Sequence, residues 1–206
     1  MQIFVDINAS ENGNGSQEFP FKYIQQAADI AQPGDYVQVM PGEYHEEVHP
    51  QNSGTSDKPI IYASAKQNRA VITGADRVTG WQHVAGPVWQ LKLPNANFGN
   101  YNPYNVLVDQ TFNHAGEIFL NNKAMYEVDQ LAKVETPSEN KLSRDRKFTC
   151  YTWYTEQLPA EDATVIYANF RAQNPNEEYV ELTFRETCFY PEKAGLNHII
   201  LSGFTM

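Results

Sequence analysis

Cysteine is scarce in this sequence, and runs of apolar residues long enough to span a membrane are missing. Only Cys150 and Cys188 occur among the 206 residues, without the paired C-x-x-C spacing of zinc or redox sites. We expect two buried, reduced thiols; a single disulfide is the alternative, and it would need an oxidising compartment. No stretch approaches ~20 apolar residues, and the N-terminus has no basic region followed by an apolar one. The sequence therefore predicts a cytoplasmic protein without a membrane partner.

Positive charge is also in short supply. Fifteen Lys and Arg residues stand against 25 Asp and Glu, which gives a net charge of -10. This sign opposes phosphate backbones, so we expect no nucleic-acid partner. What the sequence does contain is 41% hydrophobic and 13% aromatic residues, a composition that favours a packed, strand-rich protein.

The first 75 residues combine one amphipathic helix with short strands. Apolar residues recur at helical spacing between Pro20 and Pro33. Strands are predicted at 2–7, 36–40, 43–48, 60–63 and 70–73. The strands that contain Val37 and Ile60 lie 23 residues apart, which is close to one coil of a strand solenoid. Residues 1–75 are therefore predicted to form the capped start of a right-handed parallel β-helix.

The pattern changes in the middle of the chain and again at its end. Residues 76–190 contain longer strands, which predict an inserted antiparallel β-sandwich. These strands are predicted at 88–93, 117–120, 123–128, 148–155, 164–170 and 178–185. The polar stretch 131–147 is expected to be a solvated loop. Residues 191–206 are typical of a returning β-helix rung, so the fold class is mainly β. A stack with so few rungs has no room for a second cap, and we expect a truncated chain. The last rung would expose Ile200 and its apolar neighbours Ile199, Leu201 and Phe204 to a second copy, which predicts a homo-oligomer.

The spacing of the paired carboxylates in the sequence does not indicate a catalytic centre. Glu46 and Glu47 are adjacent, as are Glu177 and Glu178, so a strand would direct the members of each pair to opposite faces. Glu43 and Glu47 could share a face, but both lie beside a tight turn and are expected to face solvent.

Metal-binding patterns are equally weak. Asp35 follows Pro33-Gly34 and is expected to accept hydrogen bonds from its own turn rather than to bind calcium. The loop that begins at Asp6 lacks the glycine of a calcium loop, and His45 and His49 lie in a predicted strand and loop. The sequence thus predicts no metal site and no cofactor.

Several short motifs resemble those of known carbohydrate enzymes. The run from Phe21 to Glu46, with Pro33-Gly34-Asp35 at its centre, resembles the opening of many right-handed β-helix lyases and glycosidases. The motifs Gly80-Trp81-Gln82, Leu93-Pro94-Asn95, Asn102-Pro103-Tyr104, Tyr167-Ala168-Asn169-Phe170 and Cys188-Phe189-Tyr190-Pro191 resemble the N-terminal third of a glycoside hydrolase family 120 β-xylosidase. The resemblance has gaps around residues 109–116 and 129–150.

This resemblance implies a retaining, exo-acting enzyme that releases xylose from xylo-oligosaccharides. In that family the nucleophilic Asp and the acid/base Glu lie on later rungs, so no catalytic residue is carried over, and the chain is expected to be inactive alone. If the inserted sandwich leans over the substrate, as the resemblance implies, Asn102, Tyr104 and Phe112 are the candidate substrate-binding residues, because a loop rich in Gly, Asn and Pro would expose their side chains to sugar. The alternative is that these rings cover the sandwich edge or the domain junction.

Two other functions remain open. A β-helix polysaccharide lyase fragment would need calcium and a basic residue acting on acidic sugar, which the net charge does not favour. A non-catalytic carbohydrate-binding or interaction module is the second alternative. Whether the chain is an enzyme by itself is also left open.

Overall fold

The computed structural model describes residues 1–108 and 111–206, which form two compact units. The split unit comprises Met1–Gly74 and Arg185–Met206, and the central unit comprises Ala75–Phe184. The described residues are mainly β. Their strands and α-helices are β1 Gln2–Val5, α1 Ile24–Ile30, β2 Tyr36–Val39, β3 Gly42–Tyr44, β4 Ile60–Ser64, β5 Ala70–Ile72, β6 Ala75–Arg77, β7 Gln82–Ala85, β8 Val88–Pro94, β9 Ile118–Leu120, β10 Lys123–Ala124, β11 Tyr126–Glu127, α2 Leu131–Glu135, β12 Thr152–Leu158, β13 Ala163–Asn169, β14 Val180–Thr183, β15 Ile199–Ser202 and β16 Phe204–Thr205.

Two sheets of parallel strands build the split unit. One has the order β1-β2-β4-β15 and the other β16-β5-β3. Alternate side chains of a strand point to the same face, so Val37 and its partner Tyr62 both enter one apolar core. Ile200 lies opposite Ile61, so the closing segment returns to the strands of the first 75 residues, as the sequence predicts.

Helix α1 is shorter than the predicted helix between Pro20 and Pro33. Phe21 remains extended because its N–H donates to the Phe4 carbonyl, and its own carbonyl accepts from the Asp6 N–H. The helix therefore starts at Ile24, after the extended residue Tyr23. Its buried residues join the core beside β1, as expected of a helix that covers the first strand.

Two sheets also build the central unit. Their orders are β11-β12-β13-β8-β7 and β10-β9-β14-β6, and their pairings are antiparallel apart from the parallel β11–β12 pair. Leu91, Trp153 and Ile166 of the first sheet share a core with Ile118 and Leu182 of the second. The two sheets are therefore held together by one apolar layer.

Three segments of the central unit differ from the sequence prediction. Leu131–Glu135 forms α2, where the sequence predicts a loop, because Val134 is fully buried and anchors the turn. Lys147–Cys150 is a 3-10 helix, so β12 begins at Thr152 instead of Phe148. The predicted strand 123–128 is divided into β10 and β11 at Met125, whose side chain is buried.

Both cysteines are free thiols, as predicted. Cys150 is buried, whereas Cys188 is only half-buried, and burial raises the pKa of its thiol. Neither α1 nor α2, the α-helices of the described ranges, is long enough to cross a bilayer.

Candidate functional site

A hollow opens in the central unit where β8 gives way to a loop rich in asparagine. It has a volume of about 260 Å³ and is lined by Asn95, Gly99, Asn100, Tyr101, Asn102, Asn105 and Val106. We call it the asparagine hollow. Its lining offers amide donors and acceptors and one phenol ring, without a charged side chain.

A glycine turn and a buried ring shape the start of this loop. Residues Asn95–Phe98 form a 3-10 helix that ends at Gly99, whose φ of 59° favours glycine. Phe98 is buried and stacks on Phe184, with 5.2 Å between the ring centroids. Because this ring anchors the backbone, Asn100 and Asn105 stay exposed at the hollow.

Hydrogen bonds hold Asn102 against β13. Its Nδ2 donates to Asn95 Oδ1 at 3.2 Å and to Thr164 Oγ1 at 2.8 Å, and its Oδ1 accepts from the Tyr104 N–H at 3.0 Å. Thr164 is fully buried, and its Oγ1 also lies 3.0 Å from Gln157 Oε1. Both donors of the Asn102 amide are thus engaged, so Asn102 shapes the wall and offers a ligand only acceptor capacity.

Tyr104 is fully buried at 0% exposure, so the expectation of an exposed ring is wrong. Gly116 lies against the ring so closely that a Cβ there would approach Tyr104 Cε1 to 2.7 Å, and Trp153 packs edge-on at 5.8 Å. The phenol donates to the Glu117 carbonyl at 2.9 Å. Burial raises the pKa of Tyr104 well above its ordinary value, so the hydroxyl stays protonated as a donor.

Phe112 has the exposed ring that the sequence predicts, with 46% of the residue accessible. It does not line the asparagine hollow. Its preceding residues Asp109 and Gln110 lie outside the described residues. The structure therefore brings Asn102 and Tyr104 together, and of the three predicted residues Asn102 lines the hollow whereas Tyr104 and Phe112 do not.

Two acidic residues lie near Tyr104 and the start of β9. The Glu127 carboxylate accepts from both the N–H and the Nδ1 of His114. Burial raises the pKa of Glu117, and the charge of Glu127 adds to this effect. These groups fix the surrounding chain and do not line the hollow.

The central unit matches a known protein family. A sequence model described as the insertion domain of glycoside hydrolase 120 matches residues 78–182, just over half of the chain. The chain belongs to glycoside hydrolase family 120. A second model, described only as a protein of unknown function, matches residues 7–51 of this family 120 chain. The resemblance identified from the sequence motifs is confirmed.

Solved and curated proteins show how much of a longer relative this family 120 chain spans. The complex of XylC with xylose is 35% identical in sequence, with a TM-score of 0.92 over 99% of this chain and 35% of the XylC chain. The uncharacterized protein YwoF of Bacillus subtilis (strain 168) is 33% identical over 72 residues, which are 35% of this chain and 15% of YwoF. A rhamnogalacturonan lyase is 24% identical over 34% of this chain and 21% of its own, with a TM-score of 0.28. The chain thus spans about a third of XylC.

The adjacent glutamates of the family 120 chain have structural partners. Glu46 accepts hydrogen bonds from the N–H groups of Ile24 and Gln25 at 2.8 and 2.9 Å. Glu47 accepts from the N–H and the hydroxyl of Thr187. The expectation that Glu47 faces solvent is wrong, because the returning segment around Thr187 half-buries it.

The residues set aside as metal ligands also have partners. Asp35 accepts from the Gln32 N–H at 2.9 Å, which confirms the predicted turn, and from the N-terminal amino group. His49 Nδ1 lies 2.8 Å from the Tyr190 carbonyl oxygen. No group of three or more metal-ligating residues is assembled in the part of the chain that the structure describes.

Sequence reasoning overlooks most of the hollow. Asn95, Asn100 and Asn105 line it but are not predicted as binding residues, although the stretch 95–105 contains five asparagines. No local sequence pattern marks Thr164 as part of the site, because it lies 62 residues from Asn102 in the sequence.

Proposed function

We propose that the asparagine hollow binds a neutral oligosaccharide of xylose units as part of a glycoside hydrolase. The observation that carries this proposal is the uncharged lining of four asparagines and one tyrosine around about 260 Å³. Sugar hydroxyls need donors and acceptors, and sugar C–H faces pack on aromatic rings. The bound xylose of the similar protein XylC supports the choice of sugar.

Asn100 and Asn105 are the proposed direct contacts, since both are exposed at the hollow. Asn102 and Tyr104 support binding indirectly: Asn102 holds the wall, and Tyr104 fixes Asn102 through its N–H. Phe112 is proposed as a contact for a longer oligosaccharide because its ring is accessible.

We propose that this chain binds the sugar without cleaving it. A retaining glycosidase needs two carboxyl groups about 5 to 5.5 Å apart. The lining of the hollow carries none, and the Glu46 and Glu47 carboxylates are engaged elsewhere. A chromogenic xyloside should not be hydrolysed by this chain alone; turnover that co-purifies with it through two columns would contradict the proposal.

The binding test compares a double variant with a matched control. In isothermal titration calorimetry, Asn100→Ala with Asn105→Ala should raise the Kd for xylotriose about tenfold, equivalent to ~1.4 kcal/mol of binding free energy. Asn97→Ala, an exposed asparagine of the same stretch that does not line the hollow, should leave the Kd unchanged. Equal affinity of the double variant and the wild type would refute the site.

We also propose an architecture for the two units. The split unit is the capped start of a right-handed parallel β-helix, which the parallel order of its two sheets and the position of α1 support. The central unit is an antiparallel β-sandwich inserted into it, which the shared core of its sheets supports. The edge strands β15 and β16 form the proposed contact of a homo-oligomer.

A further inference from the structure

One row of side chains crosses the outer face of the five-stranded sheet of the central unit. Tyr154 of β12 lies directly opposite Tyr167 of β13, which lies opposite Gln90 of β8, which lies opposite Gln82 of β7. Directly paired residues project to the same face of a sheet. Four neighbouring strands therefore present two phenols and two amides in a line, which we call the tyrosine row.

The tyrosine row faces away from the core that joins the two sheets. The residues adjacent to it along the strands, among them Trp153, Ile166 and Leu91, point to the opposite face and pack in that core. Tyr154 and Tyr167 are only half-buried, as is Gln90, and Gln82 is exposed. The row is thus accessible along its length.

Helix α2 covers one end of this outer face, where it contacts β12 and β13. Asn169 Nδ2 donates to the Val134 carbonyl at 2.7 Å, which ties β13 to α2. Asn169 is two residues from Tyr167, about 7 Å along the strand. On the other side, buried Val165 forms an apolar floor between Glu156 and Lys92, its partners on the adjacent strands.

The polar groups of the tyrosine row match those of a neutral polyol. The Tyr167 hydroxyl donates to Glu156 Oε1 at 3.2 Å, and Gln90 Nε2 donates to Gln82 Oε1 at 3.4 Å. Burial raises the pKa of Tyr167, and Glu156 adds to this effect, so the phenol stays a donor. Lys92 is paired with Glu161, which neutralises the positive charge beside the row, and the Glu156 carboxylate adds a negative charge that disfavours an acidic polymer.

We propose that the tyrosine row is a second carbohydrate-binding surface, which takes an extended, neutral, β-linked polysaccharide chain. Phenol rings supply surface for sugar C–H faces, and the amides and the Glu156 carboxylate supply partners for hydroxyls. Three strand spacings separate Tyr154 from Gln82, about 14 Å, so the row suits several linked sugars and not a single one. The proposal rests on the proposed function only for the choice of a xylose-based chain.

The surface is distinct from the asparagine hollow. Thr164 and Gln157, which support the hollow, project to the core side of β13 and β12, whereas Tyr167 and Tyr154 project to the outer side. One sugar cannot occupy both faces of the sheet. A short oligosaccharide in the hollow and a polymer on the row would therefore bind independently.

Affinity electrophoresis of the full chain in gels that contain soluble neutral xylan tests the row. Tyr154→Ala with Tyr167→Ala should raise the dissociation constant for xylan at least fivefold. Tyr154→Phe with Tyr167→Phe keeps both rings and should retain most of the affinity. Tyr36→Ala removes an exposed tyrosine of the split unit and should change nothing. A thermal melt of each variant establishes that it is folded.

Two outcomes would overturn the proposal. One is full retention on xylan by a folded alanine double variant. The other is retention that the alanine variant loses only together with self-association in light scattering, which would make the row a contact between protein copies. The Asn100→Ala, Asn105→Ala variant separates this test from the proposed function. It should bind xylotriose about tenfold more weakly and keep its retention on xylan, so either site can fail without the other.

Discussion

At the scale of single residues, Glu46 shows how a carboxylate serves the fold. It is half-buried, and it accepts from the first two N–H groups of α1, which have no partner within the helix. Glu46 and Ile24 lie 22 residues apart, and no periodicity in the sequence predicts that they contact each other. Asp35 was predictable for the opposite reason, because its partner Gln32 lies in the same turn. Local hydrogen bonds can be inferred from the sequence, and contacts across the fold cannot.

The pH dependence of stability should reveal the burial of Glu46. Burial raises the pKa of Glu46 above its ordinary value of 4.5, against the opposing effect of the two N–H donors. The folded state therefore binds the proton more tightly than the unfolded state, and the contribution of Glu46 to stability is largest below about pH 4.5. It is lost as the pH rises through the folded pKa. Thermal unfolding between pH 4 and pH 7 should show the wild type losing stability relative to Glu46→Gln.

A Glu46→Gln difference in stability that stays level between pH 4 and pH 7 would contradict the role of burial.

At the scale of elements, the strands with strong alternation were predicted to within about two residues. β2 and β4 are examples, since their buried positions alternate or are nearly all apolar. The sequence does not predict helix α2, because its five residues are too few to show a helical period and a single buried side chain, Val134, fixes it. The sequence predicts only part of the asparagine hollow for a related reason. Its asparagines lie in a loop that has no hydrophobic periodicity, and Asn102 is held by Thr164 of β13, which is distant in the sequence.

The turn between β9 and β10 allows a direct test of an element. Asn121 and Asn122 have φ values of 51° and 64°, the left-handed conformation of a two-residue hairpin turn. Asn122→Ala should lower the free energy of unfolding of the central unit by about 1 kcal/mol, because a Cβ is disfavoured there. Asn122→Gly should match or exceed the wild type. Urea unfolding followed by tryptophan fluorescence measures both, because all three tryptophans lie in the central unit. Equal stabilities of the two variants would contradict the strained turn.

At the scale of the whole chain, the pairing of β4 with β15 unites segments that the central unit separates in sequence. The return of this closing segment is predicted from the apolar, small-residue character of residues 196–206, which does not indicate the strand that pairs with it. The sequence does not show which edge strand of this sheet is covered and which stays exposed. β1 lies at one edge of its sheet, where Phe21 bridges to Val5 and α1 packs beside it, whereas β15 lies at the other.

The edge at β15 leads to the final prediction, which concerns association. Ile200 is 44% exposed on a terminal strand whose outer backbone groups have no strand beyond them within the described residues. Pairing with a second copy would bury this side chain and satisfy those groups, so light scattering should report a dimer or larger species. Ile200→Lys should shift the protein to the monomer, because a charge would be buried at the contact. Ile30→Lys alters a side chain that is 43% exposed on α1 and should leave the assembly intact. A wild-type protein that stays monomeric at high concentration would show that another feature protects this edge.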